Sequence, residues 1–513
     1  DLSAFVEDSW KVRQDFTISA GIRYDTQLVP QPPAPYTTSA NGQASPLGRY
    51  YTSTININYK MIQPRLGFSW SPVPGTVVRG GYGTFYGLTS NSTFYALRVE
   101  NGVFQQQYNF SSPTAAGAPA APNVLFTPPG PPLAAPFAGA ATPQTVGLGS
   151  AALPTISFRG LSPDFSNPFT HSMDLGIEQE LPLHSSLSLS YVGTRGMRLP
   201  YFIDVNQPAA SKTQTYDVYN AAGVRTQQVT VPFSPATATR PSPADGSILA
   251  GFSGLNSWYN ALAVTVRKPM SHNVELLVNY TWAKALDNSQ VSGVNGTFNG
   301  TNILLDPFNL KNQYGSNINM TKEYGRSDLD MRSRFVGSLI ATSNFGIANY
   351  ARHFVNGWTL SGTFTAQSGI PLTAFMSNNP SAAGAAFAGL DGTSTGLGVN
   401  LNNSPGSAFG RAPFLGRNAF VYGGIRNLDA RLSRDFPIHE SIKFQILMEA
   451  FNAVNKRQVL GVNTLAYSFA APLTAGGNAR IVPYTSQAFG TPTQTSGVLY
   501  GPRQFQFAAK LFF

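Results

Sequence analysis

The sequence contains no cysteine. That excludes a disulfide framework, a thiol nucleophile and any metal site built on thiolates. Charge is scarce too: Asp, Glu, Lys and Arg make up 11% of the 513 residues, against roughly 25% in ordinary soluble domains. Apolar residues keep an ordinary 42% share, so the shortfall is not that of a disordered chain. Long hydrophobic runs are also missing. A membrane helix needs about 20 consecutive apolar residues. The nearest candidate, residues 131–150, is broken by Pro and Gly and reads as a loop. If this chain crosses a membrane, strands must do it. The first residues already read as a strand, with no basic start and apolar centre of an export signal, so a mature or truncated chain is expected.

What stands in place of charge is Asn, Gln, Ser, Thr, Gly and Tyr, with aromatics at 12%. Such a chain suits a wall with one apolar and one neutral polar face. The net charge of +10 is scattered, with no basic run or recognition helix, so nucleic acid is not an expected partner.

The primary signal is period-two alternation. Val274, Leu276, Val278, Tyr280 and Trp282 alternate with Glu275, Leu277, Asn279 and Thr281. Ile442, Phe444, Ile446 and Met448 alternate with Lys443, Gln445, Leu447 and Glu449, and Phe16 to Tyr24 repeats the pattern. Each stretch matches the length of a tilted strand crossing a bilayer. These strands pair through tight turns near residues 12–15, 72–75, 181–184, 268–272 and 436–440, and a sixth pair has a longer join. Between pairs lie long Gly-, Pro-, Ala-, Ser- and Asn-rich segments, 88–165, 196–255, 285–327, 377–425 and 455–502, which read as structureless loops. Short turns at one end and long loops at the other are the asymmetry of outer-membrane barrels. The fold class expected is therefore all-β, an antiparallel transmembrane β-barrel.

Six pairs plus a last strand near 503–513 give about 13 strands, whereas single-chain bacterial barrels have an even number. The first strand heads towards a periplasmic turn, so the barrel is expected to be partial, with unpaired edges at its first and last strands. The tryptophans fit the same geometry: Trp10, Trp70 and Trp358 fall beside periplasmic turns or joins, Trp258 and Trp282 at external strand ends. They are expected to form the interfacial girdles. With the turn centred on Met270, Trp258 and Trp282 should face each other.

Several segments resemble TonB-dependent receptors of the Oar-like group. FVEDSWKVRQDFTISAGIRYD (residues 5–25) is similar to the family's hairpin of an aromatic-x-x-Asp/Glu-x-Trp-Lys strand followed by a Gly-x-Arg-Tyr strand. QPRLGFSWSP and VVRGGYGTFYG (within 63–87), YNALAVTVRKPMSHNVELLVNYTWAKALDNS (259–289), GRSDLDMRSRFVGSL (325–339), NGWTLSGTFTAQSGIPLT (356–373) and MEAFNAVNKRQ (448–458) follow in the family's order. The resemblance implies a barrel of about 22 strands around an N-terminal plug, with residues 1–513 as the C-terminal portion of that barrel. A TonB box, plug and N-terminal domain are not recognisable here. It also implies the outer membrane of a Gram-negative cell, with its lipid bilayer, the TonB complex and the barrel-assembly machinery as partners. That machinery would read the terminal Phe513 together with Phe505, Phe507 and Leu511.

Asp328, Asp330, Arg332 and Arg334 share one parity, and Asn427, Asp429, Arg431 and Asp435 repeat the arrangement. Alternating carboxylates and guanidinium groups are read as ion pairs along lumen-facing strands that touch the plug, in preference to a calcium site. The five histidines are isolated and lack zinc spacing. Gly80, Gly81, Gly83 and Gly87 lack the Lys-Ser/Thr of a phosphate loop and fit strand packing instead. There is no nucleophile elbow, so neither an enzyme nor a cofactor is expected. Tyr95, Phe104, Tyr108, Phe126, Tyr314 and Tyr324 are the loop aromatics that would meet a ligand. The function expected is energy-coupled uptake of a large or scarce nutrient (an oligosaccharide, peptide or chelated metal), with a structural or adhesive surface protein as the alternative.

Overall fold

The computed structural model describes residues 1–32, 45–50, 54–102, 157–206, 212–233, 239–246, 248–288, 323–347, 350–376, 412, 414–439, 442–495, 497 and 500–513. One antiparallel sheet runs in chain order through Leu2–Arg13, Phe16–Thr26, Met61–Trp70, Thr76–Tyr86, Phe169–Leu181, Ser185–Asp204, Ile248–Ser271, Val274–Asp287, Ser333–Thr342, Trp358–Gln367, Ile425–His439, Ile442–Phe451 and Gln504–Phe512. Two short strands, Phe158–Leu161 and Gly325–Arg326, join from the side to make 15 in all. The 13-strand path matches the count read from the alternation. Among the described residues the sheet is open, with Leu2–Arg13 and Gln504–Phe512 as its edges. No helix of the described residues is long and apolar enough to cross a membrane.

Because side chains alternate across a strand, the register carries one polar and one apolar row through the whole wall. One row runs Glu275, Ile340, Ser361, Arg431, Glu449 and Gln506. Its neighbour runs Leu276, Leu339, Gly362, Ala430, Ala450 and Phe505. The polar row borders a recess that spans five strands from Glu275 to Glu449, so the polar side is concave. The opposite side leaves large apolar residues open, with Phe507 74%, Val6 65% and Trp282 61% exposed. A bilayer covers such a surface; water does not.

The turns explain both the register and one misplaced expectation. His272 and Asn273 both take positive φ, 51° and 64°, the geometry of a two-residue hairpin turn whose twist matches the strands. The hairpin is therefore centred on His272–Asn273, two residues beyond Met270. Trp258 consequently pairs with Leu286, and Trp282 with Leu262; the two rings do not face each other. Leu183 and His184 repeat the device at φ 64° and 57°. On the outer face Gly80 sits opposite Phe68, and any Cβ there would collide with the ring. That glycine serves strand packing.

The long segments are not structureless where they are described. Ser185–Asp204 and Ile248–Ser271 run for 20 and 24 residues, about twice a bilayer crossing. Beyond the bilayer they pack Tyr201, Ile203, Ile248 and Phe252 against Tyr50 and Phe158, and Phe202 and Leu249 against Phe94, Leu97 and Phe165. Phe94 and Leu97 lie on the helix Asn91–Arg98, capped by Ser90. Three further loop regions weave a separate five-stranded sheet, in the order Phe375–Met376, Leu465–Ala470, Ala479–Pro483, Lys212–Tyr219, Arg225–Phe233. Tyr216, Val218, Met376, Phe469 and Ile481 form its core, and burial pushes the Tyr216 phenol well above its usual range. This corrects the loop reading: 196–255 and 455–502 contain a folded cap. Residues 131–150 lie outside the described residues.

The two-faced wall makes a direct prediction at neighbouring positions. Phe364→Lys, on the outer face, should cost about 2–4 kcal/mol of folding into phospholipid vesicles, whereas Thr363→Lys, on the concave face, should change it by less than about 1 kcal/mol. Urea titration of folding into vesicles reads the difference, and equal costs would refute the face assignment.

Candidate functional site: the concave wall and its external collar

The recess on the concave face holds about 280 Å³ and is lined by Glu275, Ser361, Thr363, Asp429, Arg431 and Glu449 among others. Strand pairing places them: Thr363 lies opposite Asp429, Ser361 opposite Arg431, and Arg431 opposite Glu449. The Arg431 guanidinium donates to Gln445 Oε1 at 3.2 Å and lies 3.8 Å from Glu449. Asp429 accepts from Asn427 Nδ2 at 2.9 Å and from the Asn452 backbone N–H at 2.8 Å. Nearer the first edge, Arg23 and Asp25 approach to 3.0 Å, Gln63 donates to Asp25, and Arg65 lies over the Phe85 ring at 4.8 Å. These pairs are partly solvated, and each is worth about 0–1 kcal/mol. They make a hydrated wall of alternating charge that suits a polar occupant.

The other proposed row is built differently. The strand begins at Ser333, so Asp328, Asp330 and Arg332 sit on the turn leading into it, not along it. The Asp330 N–H donates to Ser327 O at 3.0 Å, which closes that turn and breaks the parity expected from sequence. The Asp330 carboxylate is fully buried: it accepts from the Ala285 N–H at 2.7 Å and Arg332 Nε at 2.6 Å, with Arg326 at 3.7 Å. Asp328 accepts from Asn418 Nδ2 at 2.6 Å. Arg334 does lie on the strand, opposite Thr281 and Gln367, with no carboxylate partner among the described residues.

Arg417 completes this collar. Its buried guanidinium donates to the Asp287 carboxylate, to Asp287 O at 3.0 Å and to Glu323 O at 3.3 Å. Asn418 meanwhile bonds Arg326 O at 2.8 Å and Thr373 Oγ1 at 3.0 Å. Ends of two separate long loops are thereby fastened to the strand tops. Sequence reasoning missed Arg417 and Asn418, which carry no local pattern. It also missed a second knot: Asn206 Nδ2 donates to Ser242 O at 3.0 Å and Gly246 O at 2.7 Å, while Arg240 reaches Asp204 at 3.4 Å.

All five tryptophans occupy the apolar parity. Trp10, Trp70 and Trp358 lie at the short-turn end, paired with Ile18, Phe16 and Arg434. Trp282 and Trp258 lie towards the loop end, the latter edge-on to Tyr324 at 5.1 Å. Phe505, Phe507 and Leu511 share the outer face with Ala450, Met448 and Phe444, and Phe513 follows the last strand. Tyr95 is exposed on the helix Asn91–Arg98, and not on a loop, and Tyr324 is exposed at a loop end; Phe104, Tyr108, Phe126 and Tyr314 lie outside the described residues.

An antiparallel wall with a lipid-facing apolar side, a hydrated concave side, tight turns below and a folded cap above defines an outer-membrane β-barrel. The chain belongs to the outer membrane beta barrel domain family, whose model matches residues 1–506. Its place is the cell outer membrane. No curated protein matches in sequence. Among solved structures it is similar to the ferric-catecholate import receptor Fiu of E. coli K12, at 9% identity and a TM-score of 0.38, covering 100% of this chain and 44% of that one. The outer membrane transporter YddB of Escherichia coli gives 10%, 0.42, 100% and 45%. P. aeruginosa FpvA, in complex with a pyoverdine and iron, gives 10%, 0.41, 100% and 38%. The chain thus spans less than half the length of these structures.

The collar can be tested at its most buried member. Asp330→Ala strips acceptors from Ala285, Arg326 and Arg332 and should cost about 1–3 kcal/mol locally. Hydrogen exchange should accelerate at 283–288 and 326–334 while the wall near 442–451 keeps its protection; unchanged exchange would show that the collar is not held by this carboxylate.

Proposed function

We propose that this chain is part of the wall of a TonB-dependent transporter of the Oar-like group, taking up a large or scarce nutrient such as an oligosaccharide, a peptide or a chelated metal. The observation that carries this reading is the concave charged wall facing away from lipid, since a polar lumen in a membrane wall is a route for, or a seat for, something polar. The ordered series of receptor-like segments supports the TonB dependence. In this reading Asp429, Arg431 and Glu449 face the plug of a longer protein, and energy arrives from the TonB complex through its N-terminal region. The open edges Leu2–Arg13 and Gln504–Phe512 would pair with the remaining strands. The outward tryptophans would be its interfacial girdle, and Phe505, Phe507, Leu511 and Phe513 the signal read by the barrel-assembly machinery. The loop-built cap favours a second reading, an adhesive surface protein, because a sheet with its own core can present a fixed face to the exterior.

Uptake separates the two. In cells making the complete protein, deleting TonB should abolish accumulation of the nutrient, and Arg431→Glu should lower it about tenfold, the effect of roughly 1.4 kcal/mol lost at one ion-paired contact. Heat-modifiable mobility on gels should remain normal. Accumulation that persists without TonB would remove the transport reading.

A further inference from the structure

We propose a lipid site on the outer face of the wall, in which Arg195, Arg198 and Lys284 hold the phosphate groups of lipopolysaccharide, the phosphorylated glycolipid of the outer leaflet. The placement follows from strand arithmetic. Arg195 is ten residues from Ser185, the first residue of its strand above the short turn (195 − 185). Lys284 is ten from Val274 (284 − 274), and His171 ten from Leu181 (181 − 171). Ten residues rise about 33 Å along a strand, or about 25 Å vertically at a tilt near 40°, the height of the apolar band. All three therefore reach the outer boundary of the hydrocarbon together.

The residues below them on the same face are apolar: Met173, Leu175 and Ile177; Tyr191 and Leu189; Trp282, Tyr280 and Val278. Arg195 lies opposite His171 on one side and Trp258 on the other, with its guanidinium 5.8 Å from the Trp258 ring. Arg198 takes a positive φ of 55° where the strand bulges, which turns its guanidinium over the Phe169 ring at 5.7 Å. Phe169 in turn meets His171 edge-on at 5.3 Å, and His171 is fixed by Tyr82 Oη at 2.7 Å. Lys284, opposite Asn260, is two strands and two residues from Arg195.

Charge decides what fits there. On the concave face Arg23, Arg79 and Arg431 each have a carboxylate within 4.0 Å. On the outer face Arg195, Arg198 and Lys284 have none among the described residues; Arg198 reaches only the Ser166 hydroxyl, at 3.4 Å. Rings cover one side of each guanidinium and leave its N–H groups facing outward. Three exposed cations at the level of the headgroups, spread over roughly 15–20 Å of wall, match a glycolipid carrying more than one phosphate, which arginine holds bidentately.

The test uses the full chain purified in non-ionic detergent, with binding read by native mass spectrometry and tryptophan fluorescence. Lipopolysaccharide should bind at least tenfold more tightly than the same glycolipid stripped of its phosphates. The triple variant R195Q/R198Q/K284Q should lose about a hundredfold, at about fivefold per cation. Arg13→Gln, at the opposite end of the wall, should bind like the parent. If the triple variant does not fold, R195Q and R198Q alone should each show the fivefold loss. Equal affinity for the dephosphorylated lipid, parental affinity in these variants, or inorganic phosphate competing as strongly as the lipid would each overturn the proposal.

Discussion

Inside a bilayer no water is available to bond an exposed N–H or C=O, so every strand must find its partners in its neighbours. That constraint organises this molecule. It forces a continuous antiparallel ladder, and the ladder in turn gives each side chain one of only two destinations. A slip of one residue in Ile425–His439 and Ile442–Phe451 would send Arg431 and Glu449 into lipid and Met448 onto the concave face. Register is therefore the quantity on which the concave polar row, the outward tryptophans and the proposed lipid site all depend.

Above the bilayer the constraint changes, because water returns and loops can satisfy their own backbone groups. Here the chain uses a second principle: buried carboxylates, amides and guanidinium groups that tie loop ends to strand tops. Asp330, Arg417, Asn418 and Asn206 do this through hydrogen bonds to backbone atoms of distant segments. An apolar core around Tyr216 then holds the loop strands of the cap together, and another around Phe252 holds the extended wall strands above the bilayer. A transport route through the wall would have this cap as its outer vestibule, and an adhesive surface would have it as its face.

Much of the wall could be read from sequence because its information is local. Alternation from Val274 to Trp282 and from Ile442 to Met448 marks strands without reference to any partner, and tight turns mark their pairing. The register of Trp258 was misjudged by two residues at the turn, since left-handed His272 and Asn273, with a bulge before them, do not announce themselves as Asn-Gly would. The cap stayed hidden for a different reason. Tyr216 pairs with Ala479, so its strands find one another across about half of the chain, although the alternation around Tyr216–Val218 and Val229 was a visible sign. The Asp328–Arg334 row looked like a strand because parity alone cannot distinguish a strand from the turn that Asp330 closes with Ser327. Roles for the concave ion pairs and the outward tryptophans rest on their faces, which sequence parity placed and strand pairing supports.

The central claim is that one continuous ladder separates a wet face from a lipid face. The absence of native cysteine makes single-cysteine scanning clean. Along Ile442–Phe451, cysteines at 443, 445 and 449 should react quickly with a membrane-impermeant maleimide in folded, vesicle-inserted protein. Those at 444, 446 and 448 should resist it and quench with lipid-borne probes instead. Uniform reactivity along the strand, or a repeat near 3.6 residues, would contradict the account.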